Sequence, residues 1–380
     1  MKQTRLHRYT IFFSFFLTFF FASASYAQKI TLGSCETRDG GQYQGELLAG
    51  KPHGKGRTVF KDGSVYEGHY EKGFRQGYGV YSFPDGERYE GEWFKDQQHG
   101  RGIYYFQNNN RYDGLWYRDR QQGEGTMYYY DGSVYKGNWH MDKRQGRGKY
   151  TYKTGAYYEG QWNLDKKNGQ GVFDWGDGTR YEGEWKENKR AGRGTYHYAA
   201  GDTYTGDWRD DKRHGRGVYV TADGDKYEGG YQNDERQGEG ILKYANGDVY
   251  TGHFAGGEPN GQGTLRWRNG DTYQGLMKAG KCEGQGKLTK KNGDVYEGQF
   301  SKGMLNGEVV IHYKDGSKFR GQYKNSLRNG QAIEVDTKGN RFEGSYVDDM
   351  RDGNFVEKDA NGAITAQGMY RGGRRIVNKN

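Results

Sequence analysis

The chain has 380 residues, a formal net charge of +9, and 66 Gly, 35 Tyr and 8 Trp against only 13 Leu. So few aliphatic side chains exclude a conventional Leu/Ile/Val core, and a disordered chain, which this composition would otherwise suggest, is excluded because the Gly and aromatic residues recur at fixed positions. Any core must be built from rings, each of which buries a large apolar area while Tyr keeps a polar hydroxyl.

The N-terminus has the layout of a secretory signal peptide, over residues 1–27. Lys2, Arg5 and Arg8 make a basic start, Ile11 to Phe21 is an apolar run broken only by Ser14 and Thr18, and Ser25 and Ala27 stand at the −3 and −1 positions of a cleavage site. Retention as an uncleaved membrane anchor is the alternative, with the apolar stretch at the short limit of a span. Cleavage after Ala27 lowers the net charge from +9 to +6. Residues 28–35 read as a short linker. Leu32-Gly33-Ser34-Cys35 resembles a bacterial lipoprotein box, but Gln28 and Lys29 separate it from the apolar run, so lipidation at Cys35 is a minor alternative. No Asn begins an Asn-x-Ser/Thr sequon, which favours a bacterial periplasmic, envelope or secreted protein. Cys35 and Cys282 lie more than ten repeats apart, too far along a stacked array for an internal bridge.

From residue 36 to 373 one unit recurs every 23 residues. Its first element is aromatic-x-Gly with a large apolar residue two positions on. In the centre it gives the anchors Tyr66, Tyr89 with Trp93, Tyr112 with Trp116, Tyr135 with Trp139, Tyr158 with Trp162, Tyr181 with Trp185, and Tyr204 with Trp208. The second element is Gly-x-Gly followed by apolar residues two and four positions later, as in Gly146, Gly148, Tyr150 and Tyr152. A spacing of two is the strand period. Asp-Gly and Asn-Gly pairs such as Asp131-Gly132 and Asn246-Gly247 mark tight reversals, and segments such as Asp142-Lys143-Arg144-Gln145 mark longer, four-to-six-residue turns. Gly recurs too often for a helix of useful length. The expected fold is all-β: an elongated single-layer solenoid of stacked antiparallel β-hairpins, in which neighbours share the aromatic layer and satisfy each other's edges. Residues 374–380 form a basic tail.

These motifs resemble the MORN (membrane occupation and recognition nexus) family, whose pattern is close to Tyr-x-Gly-x-Trp-x-x-Gly-x-x-His-Gly-x-Gly-x-x-x-Tyr-x-x-Gly. Tyr204-Thr205-Gly206-Asp207-Trp208, followed by His214-Gly215-Arg216-Gly217 and Gly224, is a good copy. The resemblance implies scaffolding, protein interaction and association with membranes or phospholipids, and no catalytic domain accompanies the repeats. Departures cluster at the ends: Leu47 replaces the Trp-like residue, and Val309, Ala332 and Phe355 replace the second glycine. They read as caps over an open edge.

A basic ladder is the candidate binding site. Lys143/Arg144, Lys166/Lys167, Lys189/Arg190 and Lys212/Arg213 recur one repeat apart along one turn edge, a row that attracts an anionic lipid, glycan or acidic protein. Against it stands plain solvated turn sequence, partly neutralised by Asp142, Asp165, Glu187 and Asp211. His53, His99 and His214 fall at the same repeat position in different units and do not converge on a metal. The Gly-x-Gly pairs lack the helix and Lys-Ser/Thr of a phosphate loop. Export disfavours nucleic acid. Every conspicuous polar residue is one copy of a series, so no catalytic, cofactor or metal site is expected. The function expected is an exported, non-catalytic scaffold for an unknown protein or an anionic membrane or envelope surface; the alternative is a structural envelope spacer.

Overall fold

The computed structural model describes residues 29–376. The expected signal segment, 1–27, lies outside the described residues, as do 377–380. Contacts divide the chain into two compact units with the boundary between His99 and Gly100. Strands make up both, joined by short turns, and there is no helix among the described residues.

The N-terminal unit begins with the strands Ile30–Glu36, Gln42–Leu48, Lys51–Val59, Val65–Glu71, Phe74–Ser82 and Arg88–Phe94, each antiparallel to the one before it. Its opening strand occupies most of the stretch expected as a linker over 28–35. Ile30 to Glu36 pairs residue for residue with Leu48 to Gln42, because alternating side chains and an adjacent free edge favour pairing over coil. In the C-terminal unit the strands from Arg111–Tyr117 to Ile364–Arg371 form one open antiparallel meander, every strand pairing with its predecessor and its successor in the chain. The last strand, Arg374–Ile376, takes up the start of the expected basic tail.

One repeat shows why the chain folds this way. The strand Val134–His140 is joined to Lys143–Thr151 by two residues, Met141 and Asp142, whose φ angles are +49° and +65°. Two consecutive left-handed residues make the tight hairpin turn whose twist matches that of the strands. The next reversal is longer. Tyr152–Ala156 closes with Tyr152 N–H donating to the Ala156 carbonyl at 2.8 Å and Gly155 N–H to the Tyr152 carbonyl at 2.9 Å. The Asp-Gly pairs belong to these five-residue loops: Asp131 Oδ1 accepts from Ser133 N–H at 2.8 Å, and Gly132 sits at φ +89°. The two kinds of reversal are thus exchanged relative to the sequence expectation. Asp-Gly marks the wider loop, and the Lys143/Arg144 segment follows a two-residue turn and already lies in a strand.

The same irregularity recurs in hairpins along the array. Gly137 faces Gly148, yet Trp139 faces Arg144, so the second strand has two extra residues between those pairings. Such a bulge bends the strand and re-aims the side chains beyond it. Here it brings Arg144 onto the face of Trp139.

The apolar layer lies on that face alone. Tyr135, Gly137, Trp139, Gly148 and Tyr150 share it, while Val134, Lys136, Asn138, Arg147 and Lys149 point the other way. All seven tyrosine anchors from Tyr66 to Tyr204 are completely buried, and the six tryptophans are 5–6% exposed. Each tyrosine ring lies over the glycine row of its own hairpin. A Cβ added at Gly160 would stand 2.5 Å from Gly171 Cα and 2.6 Å from the Tyr158 hydroxyl, so only glycine fits.

Candidate functional site

The aromatic anchors are structural, and their polar atoms are satisfied within the repeat or by the one before it. The Tyr135 hydroxyl donates to the Asn138 carbonyl at 3.0 Å, and Tyr158 donates to Gln161 at 2.9 Å. Each tryptophan indole reaches back one strand: Trp139 Nε1 donates to Gly125 at 3.3 Å and Trp162 Nε1 to Gly148 at 3.0 Å. The rings interlock edge to face. Tyr135 meets Trp139 at 5.2 Å and 88°, then Trp162 of the next repeat at 5.4 Å and 84°. This T-shaped geometry places a positive ring edge against a negative ring face. Burial away from water pushes the tyrosine hydroxyls up, with Tyr43, Tyr227 and Tyr250 reaching about 12.

The basic ladder splits into two rows with different surroundings. The inner row, Arg144, Lys167, Arg190 and Arg213, lies over the aromatic layer. The Arg144 guanidinium carbon is 4.3 Å from the Trp162 ring centre, Lys167 Nζ is 4.3 Å from Trp185, and Arg190 is 4.4 Å from Trp208. Each inner residue also grips the turn of the following repeat. Arg144 N–H donates to Asp165 Oδ1 at 3.0 Å, its Nε donates to the same oxygen at 3.2 Å, and Asp165 N–H returns a bond to the Arg144 carbonyl at 3.1 Å. Arg190 with Asp211 and Arg213 with Asp234 repeat the arrangement, and Arg75 with Asp96 repeats it in the N-terminal unit. Partial burial would raise the Asp165 carboxyl, but the bonds from Arg144 and Lys143 outweigh it and hold the group below the usual carboxylate range.

Lys167 departs from this pattern. Its turn partner is Asn188, whose Oδ1 accepts from Lys167 N–H at 2.8 Å but carries no charge. Burial against the rings lowers the ammonium to about 8.

The outer row, Lys143, Lys166, Lys189 and Lys212, is exposed. Three of the four have a carboxylate nearby: Lys143 with Asp165 at 3.0 Å, Lys166 with Glu187 at 3.7 Å and Lys189 with Asp210 at 3.3 Å. The eight ladder residues therefore divide into an internal clasp and a half-screened fringe. The clasp was missed in the sequence because its acceptors lie 21 residues away, beyond any local motif, although that distance is itself near one repeat.

The remaining candidates are quickly placed. The Nδ1 atoms of His53 and His214 are buried without a hydrogen-bond partner, each in its own hairpin, and no group of three or more His, Cys, Asp or Glu among the described residues could hold a metal ion. Cys35 and Cys282 are free thiols, and burial pushes Cys282 up to about 11. No helix among the described residues is long and apolar enough to cross a membrane. Leu47, Val309, Ala332 and Phe355 are not edge caps, since their strands, Gln42–Leu48, Met304–His312, Leu327–Val335 and Met350–Lys358, are all paired on both sides.

The polar face of the C-terminal unit carries a groove of about 1200 Å³ that runs across the strands from Arg101 to Glu182. Its lining includes the glycine row and charges of both signs. It is neither an aromatic and basic channel nor a flat surface.

No curated protein sequence matches the chain. Among solved structures, the TCP domain of SAS-4 (dCPAP) from Drosophila melanogaster, in complex with a proline-rich motif of Ana2, shares 17% identity over 41% of this chain and 85% of that one, at a TM-score of 0.27. A mutant TCP10 domain of Danio rerio CPAP shares 14% identity over 70% of this chain and 99% of that one, at a TM-score of 0.28. Virginiamycin B lyase from Staphylococcus aureus shares 10% identity over 88% and 98%, at a TM-score of 0.13. At such scores the likeness carries no inference. The MORN repeat profile, by contrast, matches fourteen consecutive windows without a gap, from residues 43–65 to 342–363. With the 23-residue period, the paired glycines and the buried Tyr–Trp layer, that run places the chain in the MORN repeat family, as a non-catalytic all-β scaffold.

Proposed function

We propose that this scaffold is exported and presents its polar sheet face to a protein partner at the cell envelope, with the outer lysines adding a weak attraction for anionic surfaces. The observation that carries the reading is the contrast between the two faces. The aromatic face is closed by its own rings, whereas the polar face is uncovered and holds a groove of about 1200 Å³. The anionic component rests on Lys143, Lys166, Lys189 and Lys212 alone, because the inner row is committed to the clasp. Surface charges of this kind contribute little singly at physiological salt, and a repeated row can sum weak contacts on one scaffold.

Export is supported by the signal-like layout of residues 1–27 and by a first strand that starts at Ile30, just beyond the expected cut. Cleavage before Cys35 would remove Ile30 to Ser34, five of the seven residues that pair with Gln42–Leu48, which argues against lipidation there.

Two measurements test the proposal. Mass analysis of the protein from its native host is expected to find Gln28 as the N-terminus; an intact Met1 in a soluble cytoplasmic fraction overturns export. Co-sedimentation with neutral and anionic vesicles across a salt series is expected to show binding that vanishes with salt and with Lys143, Lys166, Lys189 and Lys212 changed together to Gln, while the melting temperature is kept. Equal sedimentation of that variant and the wild type removes the anionic component. The recurring Tyr–Trp–Arg clasp favours one other reading, a passive spacer, which predicts no saturable binding to any protein partner.

A further inference from the structure

The residue between the tyrosine and the first glycine of each repeat points to the polar face, opposite a residue on the second strand of the same hairpin. Along the chain these pairs include Glu67 with Val80, Asp113 with Thr126, Glu159 with Val172 and Glu228 with Ile241. The position is acidic or neutral in every repeat except two, which hold Lys136 and Arg320. Arg320 is matched by Glu308 at 2.6 Å. Lys136 instead faces Lys149, a like-charge pair directly across the strands, which is destabilising in a sheet. Arg147, two residues from Lys149, points to the same face. Lys149 has Glu159 at 3.2 Å, while Lys136 and Arg147 are exposed and have no ion pair among the described residues.

This unmatched cluster lies at the middle of the groove. Asp113 and Glu124 line the groove on one side of it, and Glu159 and Glu182 line it on the other. Between Asp113 and Glu182 the charge order along the groove is thus acidic, basic, acidic, with Arg101 beyond the acidic zone at the near end and Arg180 lying 3.2 Å from Glu182 at the far one. A uniform polyanion would meet repulsion from both flanks, and a flat anionic bilayer cannot enter a groove. An extended peptide with an acidic centre and basic ends is complementary to all three zones. The spacing can be given. The basic centre and each acidic flank are about two strands apart, roughly 10 Å at the usual strand separation, and an extended chain covers that distance in about three residues.

We propose that the groove of the C-terminal unit is a docking site for an extended protein segment whose central acidic residues sit on Lys136 and Arg147 and whose basic residues, about three positions away on either side, face Asp113/Glu124 and Glu159/Glu182. This rests on the protein-contact reading above and gives it a location and a charge code.

The test uses the full chain and fluorescent peptides in an anisotropy titration. One peptide has central glutamates and a lysine about three residues to each side in a Ser/Thr background. A second has the same composition with the charges exchanged, and polyglutamate and anionic vesicles serve as further competitors. The ordered peptide is expected to bind at least about tenfold tighter than the exchanged one, and K136E/R147E, which leaves both acidic flanks in place, is expected to abolish that preference. K136E alone restores the acidic residue usual at this position, opposite Lys149, so its melting temperature should hold or rise while affinity falls. Equal binding of the two peptides, or binding unaltered in K136E/R147E, overturns the groove assignment and leaves protein contact through another face standing. Tighter binding of polyglutamate or vesicles than of the ordered peptide overturns the peptide site and protein contact as its purpose together.

Discussion

Two stretches of the C-terminal unit, Val134–Gln232 and Val295–Lys358, fill the same hairpin frame with different chemistry. In the first, a tyrosine hydroxyl rests above a pair of glycines and a tryptophan or tyrosine closes the layer, as with Tyr158, Gly160, Gly171 and Trp162. In the second, the facing glycine is replaced: Gly298 faces Val309, Gly321 faces Ala332, and Gly344 faces Phe355. The anchors change with it. Phe319 and Phe342 have no hydroxyl to seat, and Tyr296, opposite Ile311 and next to Val309, is only partly buried and does not make the carbonyl bond of its counterparts. The lesson is that the hydroxyl and the second glycine are one device. Where the hydroxyl is absent or displaced, its seat is open to a Cβ, so departures that resemble decay at the end of the array are a compensated pair of changes.

The largest expected effect is in the first stretch. Trp162→Ala should cost about 3–5 kcal/mol in urea unfolding, since a buried ring is lost together with its bond to Gly148 and the platform under Arg144. Phe300→Ala, which removes a smaller ring with no such bond, is expected near the lower end of that range. A smaller cost for Trp162→Ala than for Phe300→Ala would reverse the comparison.

Gly160→Val should cost about 3 kcal/mol, because the added Cβ meets backbone at Gly171 and the strands cannot part without breaking the ladder. The hydroxyl itself is worth less and discriminates better. Tyr158→Phe should lose about 1 kcal/mol with the bond to Gln161, and Tyr296→Phe should be close to neutral. Equal losses at the two sites would show that the hydroxyl and the glycine are not coupled.

The clasp offers a third contrast. It falls on a repeat between the two stretches, which at the position of Arg144 carries Cys282, with Gly303 as turn partner instead of Asp165, whereas Arg328 with Asp349 keeps the clasp in the second stretch. Arg144→Cys alone should cost about 1–2 kcal/mol by removing the Nε donor to Asp165 and the cation over Trp162, while the backbone N–H bond stays. Adding Asp165→Gly, at a φ of +66° that glycine accepts readily, should recover about 1 kcal/mol of it. Strict additivity in that cycle would deny the clasp.

The smallest effect is in pH. Lys167 titrates near 8 in the folded chain and near 10.5 unfolded, so between those values the unfolded state holds a proton that the folded state has released. Stability therefore rises with pH from about 8 to about 9, above which the Cys282 thiol, neutral to about 11 when folded but ionising near 9 when unfolded, offsets the gain. Above 10 the unfolded tyrosines ionise while Tyr43, Tyr227 and Tyr250 stay neutral to about 12, and stability falls. Unfolding midpoints at pH 7, 9 and 11 should show the maximum, and Lys167→Met should abolish the rising limb. A rising limb that survives in this variant would assign it to another group.

Much of this was legible in the chain itself. The period, the strand character, the one-sided aromatic layer and the family follow from Tyr-x-Gly and Gly-x-Gly recurring in phase, because side-chain alternation in a strand obeys a local rule of two. The break in the acidic series at Lys136 was equally visible as a letter, but nothing local shows that Lys149 stands opposite. Pairing partners, the bulge between Gly137 and Trp139, and the two-residue turn at Met141-Asp142 depend on how strands register with one another. So does the ladder: adjacency in sequence joined Lys143 to Arg144 as one basic strip, and the fold set one beside solvent and the other between a tryptophan ring and Asp165 of the following repeat. A sequence of repeats determines which residues recur; only the stacked sheet, by bringing positions 21 residues apart within 3 Å, decided which of those charges remain available to a partner.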